Sequence, residues 1–390
     1  MRIAQLAPTY ERVPPRTYGG TELVVHLLTE ELVRRGHDVT LFATGDSSTT
    51  ARLRSVTPEP VRYGDRTDDG LHHAEYLQLA NAQACLLEER RGAFDIVHNH
   101  AGLEGMVVLE TAATPVVSTM HNPFVARTQP IWDAYPWFHH AVSAASAATF
   151  PERGALPPIH HGIDVASFDV AKPEGYLLFL GRFSPSKGAD RAIQAARKTS
   201  RRLILAGKID PVDAEHARAA IEPWIDGDRI RYVGEVGADA KRALLSGADA
   251  LLFPIEWDEP FGLVMVEALA SGTPVIGFRR ASVPEVVEDG RTGFVVDDVD
   301  GMADAIARLP EIDRRDCRRA AEQRFTVARM VDDVETMYRS IVGRAPVAVG
   351  PGRSIETTGV DLQGPANGDH ETGAAGNGST PDVSRTEAPV

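Results

Sequence analysis

Cysteine is scarce in this chain, and so are aromatic residues. The 390 residues include two cysteines, Cys85 and Cys317, and only 6% of the chain is Phe, Trp or Tyr. No Cys-x-x-Cys pair occurs, which excludes a structural zinc ribbon and argues against a disulfide framework. This cysteine usage is typical of a reducing compartment, so we expect a cytoplasmic protein.

Basic residues are also in deficit. There are 41 Lys and Arg against 55 Asp and Glu, for a formal net charge of −14. Because nucleic-acid binding depends on a basic surface, we expect no nucleic-acid partner. No apolar run approaches the roughly 18 residues that a membrane span needs. No charged leader with a long apolar stretch precedes the first strand pattern, so we expect neither a transmembrane segment nor a secretion signal.

Two common nucleotide-binding fingerprints are missing. The chain contains neither the Gly-x-Gly-x-x-Gly dinucleotide motif nor a Gly-x-x-x-x-Gly-Lys-Ser/Thr phosphate loop. The absence of both motifs argues against a bound NAD or ATP, and we expect no cofactor.

The histidines do not form a recognisable metal motif. They include His98, His100, His121 and the pair His160-His161, without a thiolate or a helical His-x-x-x-His partner. We expect His98 and His100 to face opposite sides of a strand, and we predict no metal site. His121 ends a predicted strand before a proline turn, where it could hydrogen-bond at a cleft or simply be packed.

Short apolar runs alternate with helical patterns through most of the chain. Strands are predicted at 3–7, 39–43, 96–99, 116–120, 176–180, 203–206, 230–233 and 250–254, with helices at 21–35, 74–89, 189–198, 238–246 and 326–342. This rhythm predicts an α/β fold with two doubly wound, Rossmann-like domains of mostly parallel sheet. A cleft between two such domains is the natural place for a ligand.

The pattern also suggests where the domains end. We predict an N-terminal domain at 1–165, a C-terminal domain at 166–325 and a final helix at 326–345. From 346 to 390 the composition turns to Gly, Pro, Thr, Asn and Asp with few large apolar residues. Such a segment cannot bury enough surface to offset its ordering entropy, so we expect a disordered tail.

Residues 258–275 carry two glutamates, Glu259 and Glu267, eight positions apart. Pro260 suits the first position of a helix, which predicts a helix from there to Ala270. Glu259 would then stand at the start of this helix, and Glu267 about two turns inside it.

The start of this predicted helix suits a ligand. Free backbone amides at Phe261, Gly262 and Leu263 attract electronegative atoms, and glycine allows a close approach to the backbone. A carboxylate such as Glu267 can accept from two neighbouring hydroxyls, such as those of a ribose. The alternative is that Glu259 only stabilises the helix N-terminus and that Glu267 is a solvated surface residue.

A second loop, residues 181–188, directly follows the predicted strand at 176–180. Arg182 offers a planar fork for phosphate oxygens, and Lys187 adds a compact charge five residues later. Together they suit a diphosphate, although isolated basic residues in a loop are often only solvated. Near the amino end, Gly19 and Gly20 precede the first long helix and allow its N-terminus to face an anion.

These motifs together strongly resemble those of glycosyltransferase family 4, retaining enzymes of GT-B architecture, over residues 1–342. The resemblance rests on Gly19-Gly20, the Gly181-Arg182 to Lys187-Gly188 loop, and the Glu259 and Glu267 pair within Glu-Pro-Phe-Gly-Leu-Val to Gly-Thr-Pro-Val-Ile. Two departures occur: His161-Gly162-Ile163-Asp164 replaces the usual Asn-Gly-Val-Asp, and residues 281–285 lack the frequent Gly-Gly.

The resemblance implies a role for each matching residue. It implies that Arg182 and Lys187 hold the donor diphosphate and that Glu267 binds the ribose. It implies further that Glu259 and His121 lie near the transferred sugar, that Gly20 approaches the phosphates from the other domain, and that Val236 touches the base. In the family the C-terminal domain holds the donor, and the last helix crosses back to the first domain.

The resemblance implies a hexose transfer with retained configuration from a nucleotide sugar of the UDP-glucose or GDP-mannose type to an acceptor hydroxyl. Since basic side chains and helix amides would neutralise the leaving group, no metal is needed. The alternatives from other classes are a nucleotide-sugar 2-epimerase and a non-catalytic nucleotide-sugar-binding protein of the same fold. The acceptor, the nucleotide base and the oligomeric state stay open.

Overall fold

The computed structural model describes residues 1–17, 19–60, 68–134 and 137–342, without the side chains of 68–71. The predicted tail at 346–390 lies outside these residues, as does Tyr18. Within them, no helix combines the length and the apolar character needed to cross a membrane.

The first half of the chain builds a parallel sheet of seven strands within the described residues. Its strands are β1 (Arg2–Leu6), β2 (Asp38–Phe42), β3 (Arg52–Arg54), β4 (Ile96–Asn99), β5 (Val116–Met120), β6 (Phe138–Ala141) and β7 (Ala155–Leu156). Its helices are α1 (Gly20–Arg34), α2 (Asp68–Glu89), α3 (Gly102–Leu109), α4 (Gln129–Ala134) and α5 (Ala144–Ala147). The spatial order is β3-β2-β1-β4-β5-β6-β7, so the winding reverses between β1 and β4.

The second half builds a parallel sheet of six strands. Its strands are β8 (Tyr176–Leu180), β9 (Arg202–Ala206), β10 (Ile230–Tyr232), β11 (Ala250–Phe253), β12 (Val275–Phe278) and β13 (Gly293–Val296). The remaining helices are α6 (Ala189–Lys198), α7 (Ala214–His216), α8 (Ala238–Gly247), α9 (Leu263–Ala270), α10 (Val283–Val286), α11 (Val299–Ala307), α12 (Arg314–Arg324) and α13 (Val327–Val342). The order is β10-β9-β8-β11-β12-β13, with the winding reversing between β8 and β11.

The strands are apolar because helices cover both faces of each parallel sheet. In β8, Leu177 and Leu178 are fully buried, as are Leu251 and Leu252 of the neighbouring β11. Burying each such side chain stabilises the fold by about 1.5–3 kcal/mol. The two doubly wound sheets predicted from the sequence are thereby confirmed.

The last helix of the described residues, α13, packs on the first sheet rather than on the second. Val331 and Tyr338 of α13 belong to one buried cluster with Ile3 and Leu28, from β1 and α1. The chain reaches this position from α12, which packs on α9. At the crossing, Ile163 pairs with Thr326, and a Cβ at Gly162 would lie 2.4 Å from the Thr326 carbonyl oxygen. The domain limits at 165, 325 and 345 stay predictions.

The winding order decides where ligands can approach. In open α/β sheets, ligands bind beyond the carboxyl ends of the strands where the winding reverses. In the second sheet these ends lead into residues 181–188, after β8, and residues 254–262, after β11. Residues 181–188 and the segment that begins at 258 were singled out from the sequence, and the topology makes them neighbours.

Candidate functional site

Helix α9 begins later than the sequence suggests. Its first residue is Leu263, and Gly262 precedes it with a left-handed φ of 79°. The prediction of a helix starting at Pro260 was wrong, because this left-handed residue turns the chain just before the helix. A side chain at Gly262 would also collide with Met265, whose Cε lies 2.7 Å from the Cβ position. The position therefore requires glycine.

This shift moves both glutamates relative to the helix. Glu259 lies in the loop before α9, and Glu267 is the fifth helical residue, just over one turn inside. The first amides of the helix are those of Leu263 and Val264, while Met265 N already donates to the Gly262 carbonyl at 2.9 Å. The first helical amides are therefore those of Leu263 and Val264, rather than those of Phe261 and Gly262 expected from the sequence.

Lys187 and Glu259 meet at the carboxyl ends of β8 and β11. Lys187 Nζ forms an ion pair with Glu259 Oε2, and the same ammonium lies 4.6 Å from the centre of the Trp257 ring. Trp257 Nε1 donates to Glu259 Oε2 at 2.8 Å. The carboxylate of Glu259 is therefore oriented by two donors from two different segments.

Glu267 is not the solvated helix residue that the alternative interpretation supposed. It is only 4% exposed, and its Oε1 accepts from Lys241 Nζ of α8 at 2.5 Å. A buried carboxylate needs such a partner, because the cost of removing it from water is otherwise large. The pair fixes one carboxylate oxygen of Glu267 on the lysine.

Arg182 is held by two aspartates. Its Nε lies 2.9 Å from Asp213 Oδ2, and its Nη1 lies 3.4 Å from Asp210 Oδ2. Asp210 also pairs with Lys208 at 3.0 Å. The guanidinium is 37% exposed and anchored through one edge. A planar fork with one edge anchored can still present donors to a phosphate.

Gly20 is the first residue of α1, with Gly19 directly before it, and it lies close to the start of α9. A Cβ on Gly20 would lie 3.3 Å from Leu263 Cδ1, so the N-terminal ends of α1 and α9 face each other across the two sheets. Gly19 has a φ of 152°, and a Cβ on this residue would lie only 2.7 Å from the Cβ of Pro15. A larger side chain at Gly20 would crowd the space in front of Leu263.

Glu22 follows this glycine pair in the first turn of α1 and is 6% exposed. Burial raises the pKa of Glu22 to about 7. The carboxyl is thus half protonated near neutral pH, and the negative charge that would face an anion at this helix start is reduced.

Aromatic rings connect His121 to the start of α9. The rings of His121 and His161 stack at 5.2 Å between centres, and His161 meets Phe261 edge-on at 5.2 Å. His121, which follows β5, and Phe261, which precedes α9, thus line the same region from opposite sheets. Sequence spacing alone, at 140 positions, gave no sign of this contact.

The buried histidines near His121 are neutral at physiological pH. Burial lowers the pKa of His121 to about 3 and that of His140 to about 4. Burial holds the pKa values of His98, His100 and His161 well below the usual range.

The expectation that His98 and His100 face opposite sides was wrong. Their rings lie 4.1 Å apart between centres in the same buried cluster. Residues two apart along an extended segment project to the same face, which explains the contact.

Val236 lies in the loop between β10 and α8 and is partly exposed. Its contact with a nucleotide base stays a prediction. No group of three or more His, Cys, Asp or Glu side chains is arranged to hold a metal among the described residues.

Four residues that contact predicted site residues escaped the sequence analysis: Lys241, Trp257, Asp210 and Asp213. Trp257 could have been suspected, because it lies directly before the segment 258–275 and two positions before Glu259. Lys241 and Asp213 lie on other elements and carried no local signal, since a charged residue in a helix or a loop is usually solvated.

Both halves of the chain match known protein families. Residues 18–167 match the family described as Glycosyltransferase Family 4, and residues 164–324 match the family described as Glycosyl transferases group 1. Together the two matches cover residues 18–324, which contain every motif described above.

Individual relatives align over most of the chain. The phosphatidyl-myo-inositol mannosyltransferase of Mycolicibacterium smegmatis is 27% identical over 346 residues, covering 80% of this chain and 86% of that protein. Among solved structures, AviGT4, a glycosyltransferase involved in avilamycin A biosynthesis, superposes with a TM-score of 0.67 at 26% identity, covering 88% of this chain and 99% of AviGT4.

The sucrose-phosphate synthase of Thermosynechococcus elongatus superposes with a TM-score of 0.74 at 20% identity, covering 88% of this chain and all of the synthase chain, and this likeness concerns the fold. The two family matches, the paired parallel sheets and the facing starts of α1 and α9 agree with one another. The chain therefore belongs to the group 1 and family 4 glycosyltransferases of GT-B fold and is a glycosyltransferase enzyme.

Proposed function

We propose that this enzyme transfers a hexose, with retention of configuration, from a nucleotide-diphosphate sugar to an acceptor hydroxyl. The approach of Gly20 to Leu263 is the observation that carries the proposal. It brings the glycine loop of one sheet onto the helix start of the other, beside the loop that carries Lys187. A diphosphate placed there would meet amides and basic side chains from three segments.

The reaction would be driven by stabilising the leaving group. Departure of a nucleoside diphosphate develops negative charge on its terminal phosphate. Lys187, Arg182 and the first amides of α9 would face that charge, and fixed positive groups in a water-poor cleft stabilise it strongly. This arrangement would work without a metal ion, because the countercharge comes from the chain itself.

The two glutamates would then contact different parts of the donor. Glu267 has one oxygen on Lys241 and a second that could accept from a ribose hydroxyl. Glu259, held by Lys187 and Trp257, would lie beside the transferred sugar. A carboxylate near that ring would stabilise the oxocarbenium character that develops as the bond to the diphosphate breaks.

Retention would be achieved by attack of the acceptor on the face that the diphosphate leaves. Double displacement through a covalent sugar would require a carboxylate aligned on the opposite face. The acceptor would enter from the first sheet, beside His121. The mannosyl transfer named for the mycobacterial relative supports a hexose donor and suggests GDP-mannose, with UDP-glucose as the other candidate.

The test is a thermal-shift screen of the full chain with UDP, GDP, UDP-glucose and GDP-mannose. A ligand at a hundredfold excess over its dissociation constant stabilises by about 2.7 kcal/mol. We expect one nucleotide sugar to stabilise the chain and Arg182→Ala to weaken this effect, with Arg308→Ala, an exposed arginine after α11 that pairs with Glu311, as the matched control. If none of the nucleotides raises the melting temperature, the proposal fails. The anomeric configuration of the product, read by NMR, tests retention.

A further inference from the structure

A continuous row of buried polar side chains runs from His121 to β6. From the cleft inward, its contacts are His121 Nε2 to His100 Nδ1 (2.9 Å), His100 Nε2 to Gln5 Oε1 (2.8 Å), Gln5 Nε2 to Tyr338 Oη (3.0 Å), Tyr338 Oη to His98 Nδ1 (2.6 Å), His98 Nε2 to Thr119 Oγ1 (2.6 Å), Thr119 Oγ1 to His140 Nε2 (2.7 Å) and His140 Nδ1 to the Ala141 carbonyl (3.2 Å). The row joins β1, β4, β5, β6 and α13. We call it the histidine row.

The inner end of the histidine row fixes the direction of its hydrogen bonds. The Ala141 carbonyl can only accept, so His140 must donate from Nδ1. A neutral imidazole carries one proton, which leaves His140 Nε2 as an acceptor. Thr119 therefore donates to it, and the Thr119 oxygen accepts from His98 Nε2.

The same reasoning continues outward through Tyr338. His98 uses its single ring proton, on Nε2, to donate to Thr119. Its Nδ1 therefore accepts from the Tyr338 hydroxyl. The hydroxyl oxygen then accepts from Gln5 Nε2, which turns Gln5 Oε1 towards His100. The orientation of this amide is required by the row rather than assumed.

The last two links reach the cleft. His100 donates from Nε2 to Gln5, so its Nδ1 must accept, and the donor available to it is His121 Nε2. His121 is then protonated at Nε2 and bare at Nδ1. Among the described residues no partner lies within hydrogen-bond distance of His121 Nδ1, although that atom is buried.

We propose that the histidine row holds His121 in the Nε2-protonated tautomer, so that its bare Nδ1 accepts a hydrogen bond from a hydroxyl of the bound nucleotide sugar. Gln5, His100 and Tyr338 are then positioning residues, which act on the ligand only through His121. The assignment of the ligand rests on the proposed function, whereas the tautomer does not. Burial keeps the pKa values of all four imidazoles below the usual range, in agreement with one proton on each ring.

The tautomer decides what His121 can recognise. A bare ring nitrogen pairs with a hydroxyl and repels a phosphate oxygen, which also carries lone pairs. Since α13 supplies Tyr338, a helix that follows the second sheet in the chain determines hydrogen bonding at a cleft on the first sheet. A row with the opposite direction would make His121 a donor and would favour an anionic group there.

The first experiment measures the tautomer directly. Long-range proton–nitrogen NMR spectra of the full chain labelled with ¹⁵N-histidine distinguish bare from protonated ring nitrogens, and His121→Asn identifies the resonances of His121. At pH 7 we expect His121 to be neutral, with a preference of about tenfold or more for the Nε2-protonated form, because an unmade buried hydrogen bond is costly. A Nδ1-protonated ring or an imidazolium would overturn the proposal.

Two variants test the positioning residues. Gln5→Met removes both hydrogen bonds of the amide at similar size, and Tyr338→Phe removes the acceptor that orients that amide. Both should reduce the tautomer preference of His121 severalfold. Gln78→Met is the matched control, because Gln78 is equally buried and bonds to Thr9 and Ala101 outside the row. If His121 keeps its tautomer in both variants, the row does not set it.

The final arm adds nucleotides, with binding followed in parallel by thermal shift. UDP-glucose or GDP-mannose, whichever stabilises the chain, should shift the His121 Nδ1 resonance, and UDP or GDP alone should not. Binding without such a shift would overturn the sugar-hydroxyl contact. If neither nucleotide sugar binds, the proposed function fails while the tautomer result stands by itself.

Discussion

Lys187 and Glu259 are 72 residues apart in the sequence, yet they form an ion pair between the loops that follow β8 and β11. The pair exists because these two strands are neighbours where the winding of the second sheet reverses. It places a positive and a negative group side by side at the carboxyl end of the sheet, one suited to a phosphate and the other to a sugar.

Lys187→Ala should lower the transfer rate by about a hundredfold, the usual cost of losing one charge that stabilises a transition state. The fold should persist, because Trp257 still donates to Glu259 at 2.8 Å. The measurement is turnover at saturating nucleotide sugar, with circular dichroism as the check on folding. Lys198→Ala removes an exposed lysine paired with Asp300 and serves as the control. Near-native turnover in Lys187→Ala would contradict the diphosphate assignment.

Glu267→Gln and Glu259→Gln should have different kinetic effects. Glu267 would meet ribose hydroxyls that do not react, so its loss should weaken binding and raise the Michaelis constant. Glu259 would lie beside the sugar whose charge changes, so its loss should lower the turnover number.

Titration calorimetry with UDP and GDP separates these two effects. We expect weaker nucleoside diphosphate binding in Glu267→Gln and unchanged binding in Glu259→Gln. Lys241→Gln is the control for the ion pair, since it breaks the pair and leaves the ribose acceptor in place. The reverse pattern for the two glutamates would mean that the donor lies the other way round.

Activity should survive an excess of EDTA. The phosphates would be met by Lys187, Arg182 and the first amides of α9, so no divalent ion is needed to neutralise them. The assay uses a saturating nucleotide sugar with and without the chelator. Complete loss of activity that magnesium or manganese restores would count against this site.

Folding stability should fall steeply in mild acid. The folded pKa values of His121 and His140, about 3 and about 4, lie below the ordinary value of 6.5. Their contribution is therefore complete above pH 6.5 and is lost as the pH falls from 6.5 towards those values, with a slope that approaches about 1.4 kcal/mol per pH unit for each histidine well below pH 6.5. His98, His100 and His161 shift in the same direction.

Glu22 has the opposite sign, because its pKa is raised to about 7, but it is a single group. Denaturant unfolding at pH 6.5, 6.0 and 5.5 measures the slope. His140→Gln should reduce the slope by about 1 kcal/mol per pH unit over this range, because the unfolded imidazole is only half protonated at pH 6.5. His72→Gln, at an exposed histidine, should leave it unchanged. A flat profile in the unmodified chain would contradict the neutral state of the buried cluster.

Removing residues 346–390 should change neither the melting temperature nor the transfer rate. The segment has too few large apolar side chains to offset its ordering entropy. Thermal unfolding and turnover of the shortened chain are the measurements. A drop of several degrees would show that the tail packs on the enzyme.

The sequence by itself determined the architecture and most of the motif positions. Strands β4, β5 and β8 begin and end at the predicted residues, because a buried parallel strand is a short apolar run between turn residues. The sequence also revealed two site segments, the loop with Arg182 and Lys187 and the segment with Glu259 and Glu267. Both contain glycine, proline and charged residues close together in the chain. Residues that stand next to one another in the chain carry this information.

Only the tertiary structure decided which of these groups meet. Helix α9 starts at Leu263 because Gly262 adopts a left-handed conformation against Met265 and Phe253, a packing constraint from elsewhere in the chain. Lys241 of α8 donates to Glu267 of α9. Tyr338 hydrogen-bonds to Gln5, 333 positions away, and to His98, 240 positions away. The direction of the histidine row depends on one carbonyl in β6. Contacts of this kind are set by the winding order of the sheets and the crossing of α13, and no local periodicity encodes them.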